Sequence, residues 1–306
     1  MEKEIFTGER FIPGIEDKKL ETEHMQRYLG FRDLVQGKNV LDAACGEGYG
    51  SRILAEKAKS VIGLDISAKT VERANKNYAS ECNNLKYVCG SIASMEMIET
   101  DTIDVVVSFE TIEHVDEGIQ NAFMKEIKRV LKQDGILIMS TPNKRIYSDL
   151  YNYHNEYHVK EFYQEEFLKF IGNNFKNIKT FSQSFEVACM LDTMDEKCDT
   201  LRVYNSCRAD EAKYMIVVAS DGVLPEIDST AVTVCNPGEY DYIMHRVVEL
   251  QNDVEERNRH LKELDEEIEK YRANIYRNEE KIRRLEDTEK QNQQTIKNKE
   301  GHIEQL

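Results

Sequence analysis

No Cys-x-x-Cys pair occurs among the seven cysteines of this sequence (Cys45, Cys82, Cys89, Cys189, Cys198, Cys207 and Cys235), which are scattered and odd in number. The ligand spacing of a zinc site is therefore missing, and so is a disulfide framework; a reducing compartment is the simpler expectation. Proline and glycine are scarce, at four and fifteen residues, and with 40% hydrophobic residues the bulk reads as globular rather than disordered. Positive charge is in deficit. The formal net charge of −16 opposes broad binding to nucleic-acid phosphates and leaves DNA out of the expected partners. The N-terminus, MEKEIFTGER, carries no apolar leader core, and no stretch is apolar for long enough to span a bilayer. Together these absences predict a cytoplasmic protein that reaches a membrane, if at all, through a partner.

What is present falls into two compositional halves. The 306 residues suffice for one α/β domain of ordinary size and an appendage. Up to about Ser220, short β-branched runs alternate with helix-like segments. The runs are Asn39–Leu41, Val61–Leu64, Leu85–Cys89, Ile103–Phe109 and Ile136–Ser140. Between them apolar residues recur at helical spacing, as in Val71, Ala74 and Tyr78, or Ile119, Phe123, Ile127 and Val130. Continuous apolar strands separated by amphipathic helices imply a parallel sheet covered on both faces. Asp134–Gly135 reads as the turn into the fifth strand, and Ile178–Phe185 and Tyr214–Ala219 as later strands that complete the sheet. The expected fold is a Rossmann-like, doubly wound, seven-stranded α/β sheet, followed by a long C-terminal α-helical coiled coil. In domain terms, residues 1–35 form a cap, 36–220 the sheet domain, 221–240 a linker and 241–306 the coiled coil.

The coiled coil is read from a change of period. With a at Val247, Val254, Leu261, Ile268, Ile275, Ile282, Ile296 and Ile303, only Glu289 breaks the a series. The d positions Ile243, Leu250, Leu264, Tyr271, Leu285 and Leu306 are apolar, whereas Arg257, Asn278, Asn292 and Lys299 are not. A seven-residue period held for about nine heptads without proline marks a helix that joins a second copy of the chain or a partner protein. β-Branched residues at a favour a parallel dimer, and the polar d residues pull against it.

The chemistry starts at Val40-Leu41-Asp42-Ala43-Ala44-Cys45-Gly46-Glu47-Gly48-Tyr49-Gly50. A strand ends in an acid, three glycines follow at alternate positions, and a helix begins near Ser51, so backbone amides can approach a ligand at a helix N-terminus. The dinucleotide fingerprint would need glycine at Ser51, and Asp42 suits a ligand with a cationic amino group and no pyrophosphate. The second strand ends in Asp65, a carboxylate placed to accept from both ribose hydroxyls. Over residues 36–220 these residues resemble the class I S-adenosylmethionine-dependent methyltransferases. The resemblance implies S-adenosylmethionine as cofactor, held by Asp42, Ala44, Gly46, Gly48, Tyr49 and Gly50 of the loop and by Asp65 and Ile66. Ser91 and Ile92, with Phe109, complete the implied set, and Arg27 or Tyr28 of the N-terminal segment is placed to close over the methionine carboxylate. Where the family often places an acid after the third strand, this chain has Gly90-Ser91-Ile92.

On the acceptor side, the fourth strand runs into Glu110-Thr111-Ile112-Glu113-His114, and the fifth is followed by Tyr147, Tyr151, Tyr153, His154, Tyr157 and His158. A neutral histidine near pH 7 is the natural base for a hydroxyl acceptor, and His114, His154 and His158 are the candidates, with Glu110 beside them. The spacing Glu110-x-x-Glu113-His114, with His158, resembles the metal site of RNA 3′-terminal ribose 2′-O-methyltransferases and of ubiquinone-biosynthesis O-methyltransferases. It implies Mg²⁺ or Mn²⁺ on Glu110, Glu113, His114 and His158. The same pair serves many class I enzymes as helix cap and packing residues. The segment Phe6–Gly14, then Glu23-His24-Met25-Gln26-Arg27-Tyr28, looks like the start of bacterial methyltransferases that act with glycosyltransferases on surface polysaccharide. That likeness implies a sugar or glycan hydroxyl as acceptor. Ribose methylation at an RNA end, a small quinone-like acceptor, and a coiled-coil scaffold that merely retains the cofactor fold stand as alternatives.

Overall fold

The computed structural model describes residues 18–185, 212–227 and 238–303. Its contacts divide the chain into two compact units, residues 1–235 and 236–306. In the first unit, β1 (Asn39–Ala43), β2 (Ser60–Asp65), β3 (Leu85–Cys89), β4 (Ile103–Phe109), β5 (Leu131–Pro142), β6 (Asn177–Gln183) and β7 (Tyr214–Ser220) form one sheet. The order is β3-β2-β1-β4-β5-β7-β6. Strands β1 to β5 run parallel, and β7 is antiparallel to both β5 and β6. This is the expected Rossmann-like seven-stranded sheet, and β7 is its one departure from the parallel expectation. Tyr214–Ser220 is buried at every position, so its composition announces a central strand and carries no information about direction.

Alternation along the central strands splits the core in two. Val40, Val105, Val107, Ile138 and Val218 face one apolar cluster, and Leu41, Val106, Leu137, Met139 and Val217 face the other. Helix α1 (Lys18–Phe31) and α2 (Tyr49–Ala55) cover the first with α3 (Ala68–Asn77), whose Val71 and Ala74 are buried as their spacing predicts. Helix α4 (Glu117–Val130) and α5 (Gln164–Gly172) cover the second through Phe123, Ile127, Phe167 and Ile171. The Asp116 carboxylate caps α4, accepting from the Ile119 amide at 3.0 Å. Asp134–Gly135 is not a turn before β5. It lies inside the strand, where pairing with β4 jumps from Ile103↔Leu131 to Val105↔Ile136.

The expected linker is also shorter than read. Ile227 is still buried in the first core and its carbonyl accepts from Lys179, so the sheet unit holds the chain beyond Asp221. Residues 228–237, the stretch 186–211 that the sequence did not place, and Phe6–Gly14 lie outside the described residues. The second unit is α6 (Gly238–Ile303), a helix of 66 residues. Its stripe of Val247, Leu250, Val254, Leu261, Leu264 and Ile268 is 40–59% exposed in the single chain. No helix among the described residues is long and apolar enough to cross a membrane.

Candidate functional site

The sheet order reverses between β1 and β4, which opens a crevice beyond their C-terminal ends. Both strands run into a non-glycine residue in the left-handed region, Ala44 at φ 63° and Glu110 at φ 51°. Backbone held there is strained and persists only where its surroundings over-determine it. At β1 the constraint is a set of loop hydrogen bonds. The Cys45 amide donates to the Leu64 carbonyl at 2.9 Å, and the Gly48 amide to the Cys45 carbonyl at 3.1 Å. Asp65 completes the set: its carboxylate accepts from the Gly46 amide at 3.1 Å and from the Ser67 amide at 2.9 Å.

The three loop glycines do different work. Gly46, at φ 53°, has nothing within 4 Å of where a Cβ would stand, so it borders open space. Gly48, at φ 86°, is filled from behind by Tyr87, whose hydroxyl donates to the Gly48 carbonyl at 2.7 Å. A Cβ on Gly50 would lie 2.0 Å from the Tyr28 ring, so this glycine admits the α1 side chain rather than a ligand. Asp42 likewise lies beneath the loop. Fully buried, it accepts from the Ser51 hydroxyl at 2.6 Å and from the Tyr28 hydroxyl at 3.3 Å. Burial, only partly offset by those bonds, pushes its carboxyl up to about 7. A direct contact of Asp42 with a ligand's ammonium group would have to open this set. Ile66, by contrast, stands 70% exposed, an apolar surface next to the buried acid Asp65. Ser91 accepts from the Ala93 amide at 3.2 Å, Ile92 packs on the second core, and Phe109 meets Tyr28 edge to face at 4.9 Å between centroids. Tyr49 is half-buried beside His24, its hydroxyl 3.0 Å from Nδ1.

Arg27 is the largest fully buried side chain, with Nε donating to Gln183 at 2.8 Å and the guanidinium 4.4 Å over the Tyr214 ring. Burial opposes its charge, but Glu110, 3.7 Å away, and neighbouring groups more than restore it. Both Nη atoms are buried without a hydrogen-bond partner, so a strongly charged fork is left wanting an anion.

Of the four residues expected to hold a metal, three converge. Oxygen or nitrogen atoms of Glu113, His114 and His158 lie within 4.8 Å of one another. Glu110 is outside that group; its carboxylate accepts from Ser140 at 2.6 Å and faces Arg27. Glu113 is fully buried, with one oxygen accepting from Thr141 at 3.0 Å and the other, Oε1, without a partner. Burial, reinforced by the charge of Glu110, pushes its carboxyl well above the usual range. A carbonyl can only accept, so the contact of His114 Nδ1 with the Tyr157 carbonyl at 3.0 Å puts the proton on Nδ1. Its Nε2 lone pair then points toward Glu113 Oε1, 3.9 Å away. His158 repeats the pattern: Nδ1 meets Glu161 at 2.5 Å, and Nε2 accepts from Asn155 at 3.0 Å. Glu161 is in turn held by the Ser148 hydroxyl at 2.6 Å. His154 is exposed and takes no part. Glu161 and Ser148 were not read from the sequence, although the spacing His158-x-x-Glu161 was visible. Nor was the pair of Arg73 with Glu47 (2.6 and 3.0 Å), which ties α3 to the glycine loop.

Residues 41–139 match the family described as Methyltransferase domain. A probable S-adenosylmethionine-dependent methyltransferase of Mycolicibacterium smegmatis is 36% identical over 143 residues, 46% of this chain and 53% of that protein. A ubiquinone biosynthesis O-methyltransferase of Actinobacillus pleuropneumoniae is 25% identical over 173 residues, 55% of this chain and 70% of that protein. Among solved structures, a SAM-dependent methyltransferase of Thermotoga maritima, a possible histamine N-methyltransferase, superposes with a TM-score of 0.49. It is 18% identical, covering 67% of this chain and 94% of that one. The chain spans about half the length of the first curated relatives it matches, 53% and 50%. The first unit therefore contains a region, residues 41–139, that is similar to methyltransferase domains.

Proposed function

We propose that this chain moves the methyl group of S-adenosylmethionine to a hydroxyl oxygen. The residues fit that cofactor: Gly46 borders open space, Asp65 and exposed Ile66 offer a ribose acid and an apolar face, and Arg27, paired with Glu110 at 3.7 Å, keeps two Nη atoms without a hydrogen bond for a carboxylate. When bound, the cofactor supplies an electrophilic methyl on a sulfonium. The chain's own work is to align the acceptor and take its proton.

The observation that carries O-transfer is the convergence of Glu113, His114 and His158, with both imidazoles held through Nδ1, to a carbonyl and to a carboxylate. The same three side chains form a donor set of the kind that suits Mg²⁺ or Mn²⁺, and Nε2 of His158 would exchange its bond from Asn155 for the ion or for an acceptor's proton. Such an ion would lower the pKa of a coordinated hydroxyl. Glu161 and the Tyr157 carbonyl would orient its imidazole ligands.

For the acceptor we favour a sugar hydroxyl on a surface glycan, supported by the likeness of Glu23–Tyr28 to polysaccharide-associated methyltransferases. The ubiquinone enzyme of A. pleuropneumoniae, with 70% of its length aligned, supports a small phenolic acceptor as the second reading. The heptad stripe of α6 supports a coiled coil that joins the chain to another copy. The test is methyl transfer from tritiated S-adenosylmethionine into fractionated lysate of source cells, with and without EDTA. RNase-resistant label in glycan supports the favoured reading, and EDTA sensitivity adds the metal. Label in the quinone fraction or in RNA moves the acceptor, and no label in any fraction sinks the enzyme reading in favour of a scaffold.

A further inference from the structure

The helix α6 has an apolar stripe that its own chain leaves in water, and the charges beside that stripe specify how it is covered. Val247 and Val254 at a, with Leu250 and Leu264 at d, are 40%, 55%, 49% and 41% exposed. Off this stripe, Val248 and Tyr276 are the large apolar residues exposed among the described residues of α6, and 28 residues apart they make no second face, so one seam is available for burial. We propose that α6 pairs with α6 of a second copy as a parallel, in-register, two-stranded coiled coil, an inference that rests on the coiled-coil reading above.

In parallel strands each g residue meets the e′ residue five positions further along its partner. In this frame His260 meets Asp265, Glu267 meets Arg272 and Lys281 meets Glu286. Along residues 246–300 no g–e′ pair joins like charges. In-register pairing also lowers the cost of the polar d residues, which otherwise pull against the dimer. Asn278 and Asn292, both at d, each meet their own counterpart, so amide faces amide and both are satisfied. Arg257 and Lys299 have stems long enough to carry their charge out of the seam, which leaves Glu289 as the one short core charge facing its copy. Antiparallel pairing does worse. The register that rewards it most sets Arg257 against Glu289, and in doing so buries Asn278 against Ile268 and Asn292 against Val254. β-Branched residues at most a positions, with leucine at several d positions, select two strands.

Two measurements on the full chain separate the orientation from the coiled coil itself. Native mass spectrometry gives the number of copies: two is expected, whereas one overturns both the coiled coil and its orientation, and three overturns the strand count. Val254→Cys is then oxidised beside the parent chain, whose native cysteines set the background. A new disulfide-linked dimer is expected, because parallel register places position 254 against itself. A two-copy assembly with no new link refutes the parallel arrangement and leaves self-association standing. Charge exchange adds a test free of cysteine chemistry. Lys281→Glu is expected to weaken dimerisation about five-fold, as two surface pairs turn repulsive. In parallel strands Glu286→Lys restores it; restoration by Glu267→Lys instead identifies the antiparallel form.

Discussion

Gly50→Ala is the substitution on which the account of the glycine loop turns. By helix propensity alone it should stabilise α2 by about 1 kcal/mol, since Gly50 needs no positive φ. The structure predicts the opposite sign. The added methyl would stand 2.0, 2.3 and 2.3 Å from three ring atoms of Tyr28, a side chain only 5% exposed. The ring has nowhere to retreat, because Phe109 and Tyr49 pack against it edge to face at 4.9 and 5.6 Å. Overpacking of this severity costs about 3 kcal/mol, so the net effect is a loss of about 2 kcal/mol, felt as undocking of α1. Tyr28→Ala alone should cost about 3–5 kcal/mol. In Tyr28→Ala/Gly50→Ala the methyl enters the space the ring has left. The double variant should therefore be no less stable than Tyr28→Ala, a coupling of about 2 kcal/mol. Urea unfolding of the four proteins, followed by tryptophan-free near-UV tyrosine signals, measures the cycle. Additive losses, or a neutral Gly50→Ala, would refute the assignment of this glycine to α1. Gly46→Ala is the control: it meets open space, so it pays only left-handed backbone strain of about 1 kcal/mol while obstructing the cofactor.

Other outcomes follow from the same geometry. Asp42 has its carboxyl raised to about 7 in the folded chain, so the proton it holds favours the fold. That contribution is complete below its ordinary value and is lost as pH rises through about 7; Asp42→Asn should flatten this part of a stability–pH curve, by up to about 1.4 kcal/mol per pH unit. Asp65→Ala removes the bond to the Gly46 amide and the ribose contact together, and calorimetry should find S-adenosylmethionine binding weakened at least about 100-fold. His158→Ala is expected to lower kcat about 100-fold or more with cofactor affinity unchanged. Glu161→Gln should lower kcat about tenfold through loss of the bond that orients His158, and an unchanged kcat would remove Glu161 from the site.

The strands were legible because a sheet buried on both faces writes itself as apolar runs, and Ile103–Phe109 was found with both ends correct. Direction was not written: nothing in Tyr214–Ser220 distinguishes an antiparallel strand from a parallel one. At the site, residue type and place in the chain singled out Glu113, His114 and His158, which the fold brings within 4.8 Å of one another. What the sequence concealed was which way a side chain faces. Asp42 and Gly50 occupy ligand-binding positions in the chain, yet their neighbours are Tyr28 and Ser51. Glu110 shares a short motif with Glu113, but its left-handed backbone turns it to Ser140 and Arg27.

Helix α1 is the first described element of the chain, yet its partners are made late. Arg27 bonds Gln183 across 156 residues, and Glu23 accepts from the Tyr214 hydroxyl across 191. During synthesis the glycine loop, the acids and the first five strands leave the ribosome before either partner exists. Tyr28 can settle on Asp42, Tyr49 and Phe109 early, but the polar anchors of Glu23 and Arg27 must wait through most of translation, so full fixation of residues 18–31 is a late step of folding. A nascent chain stopped short of Tyr214 would have its strand ends in order and α1 held by its aromatic contacts alone, and the buried Arg27 and Glu23 would be locked only with the strand inserted between β5 and β6.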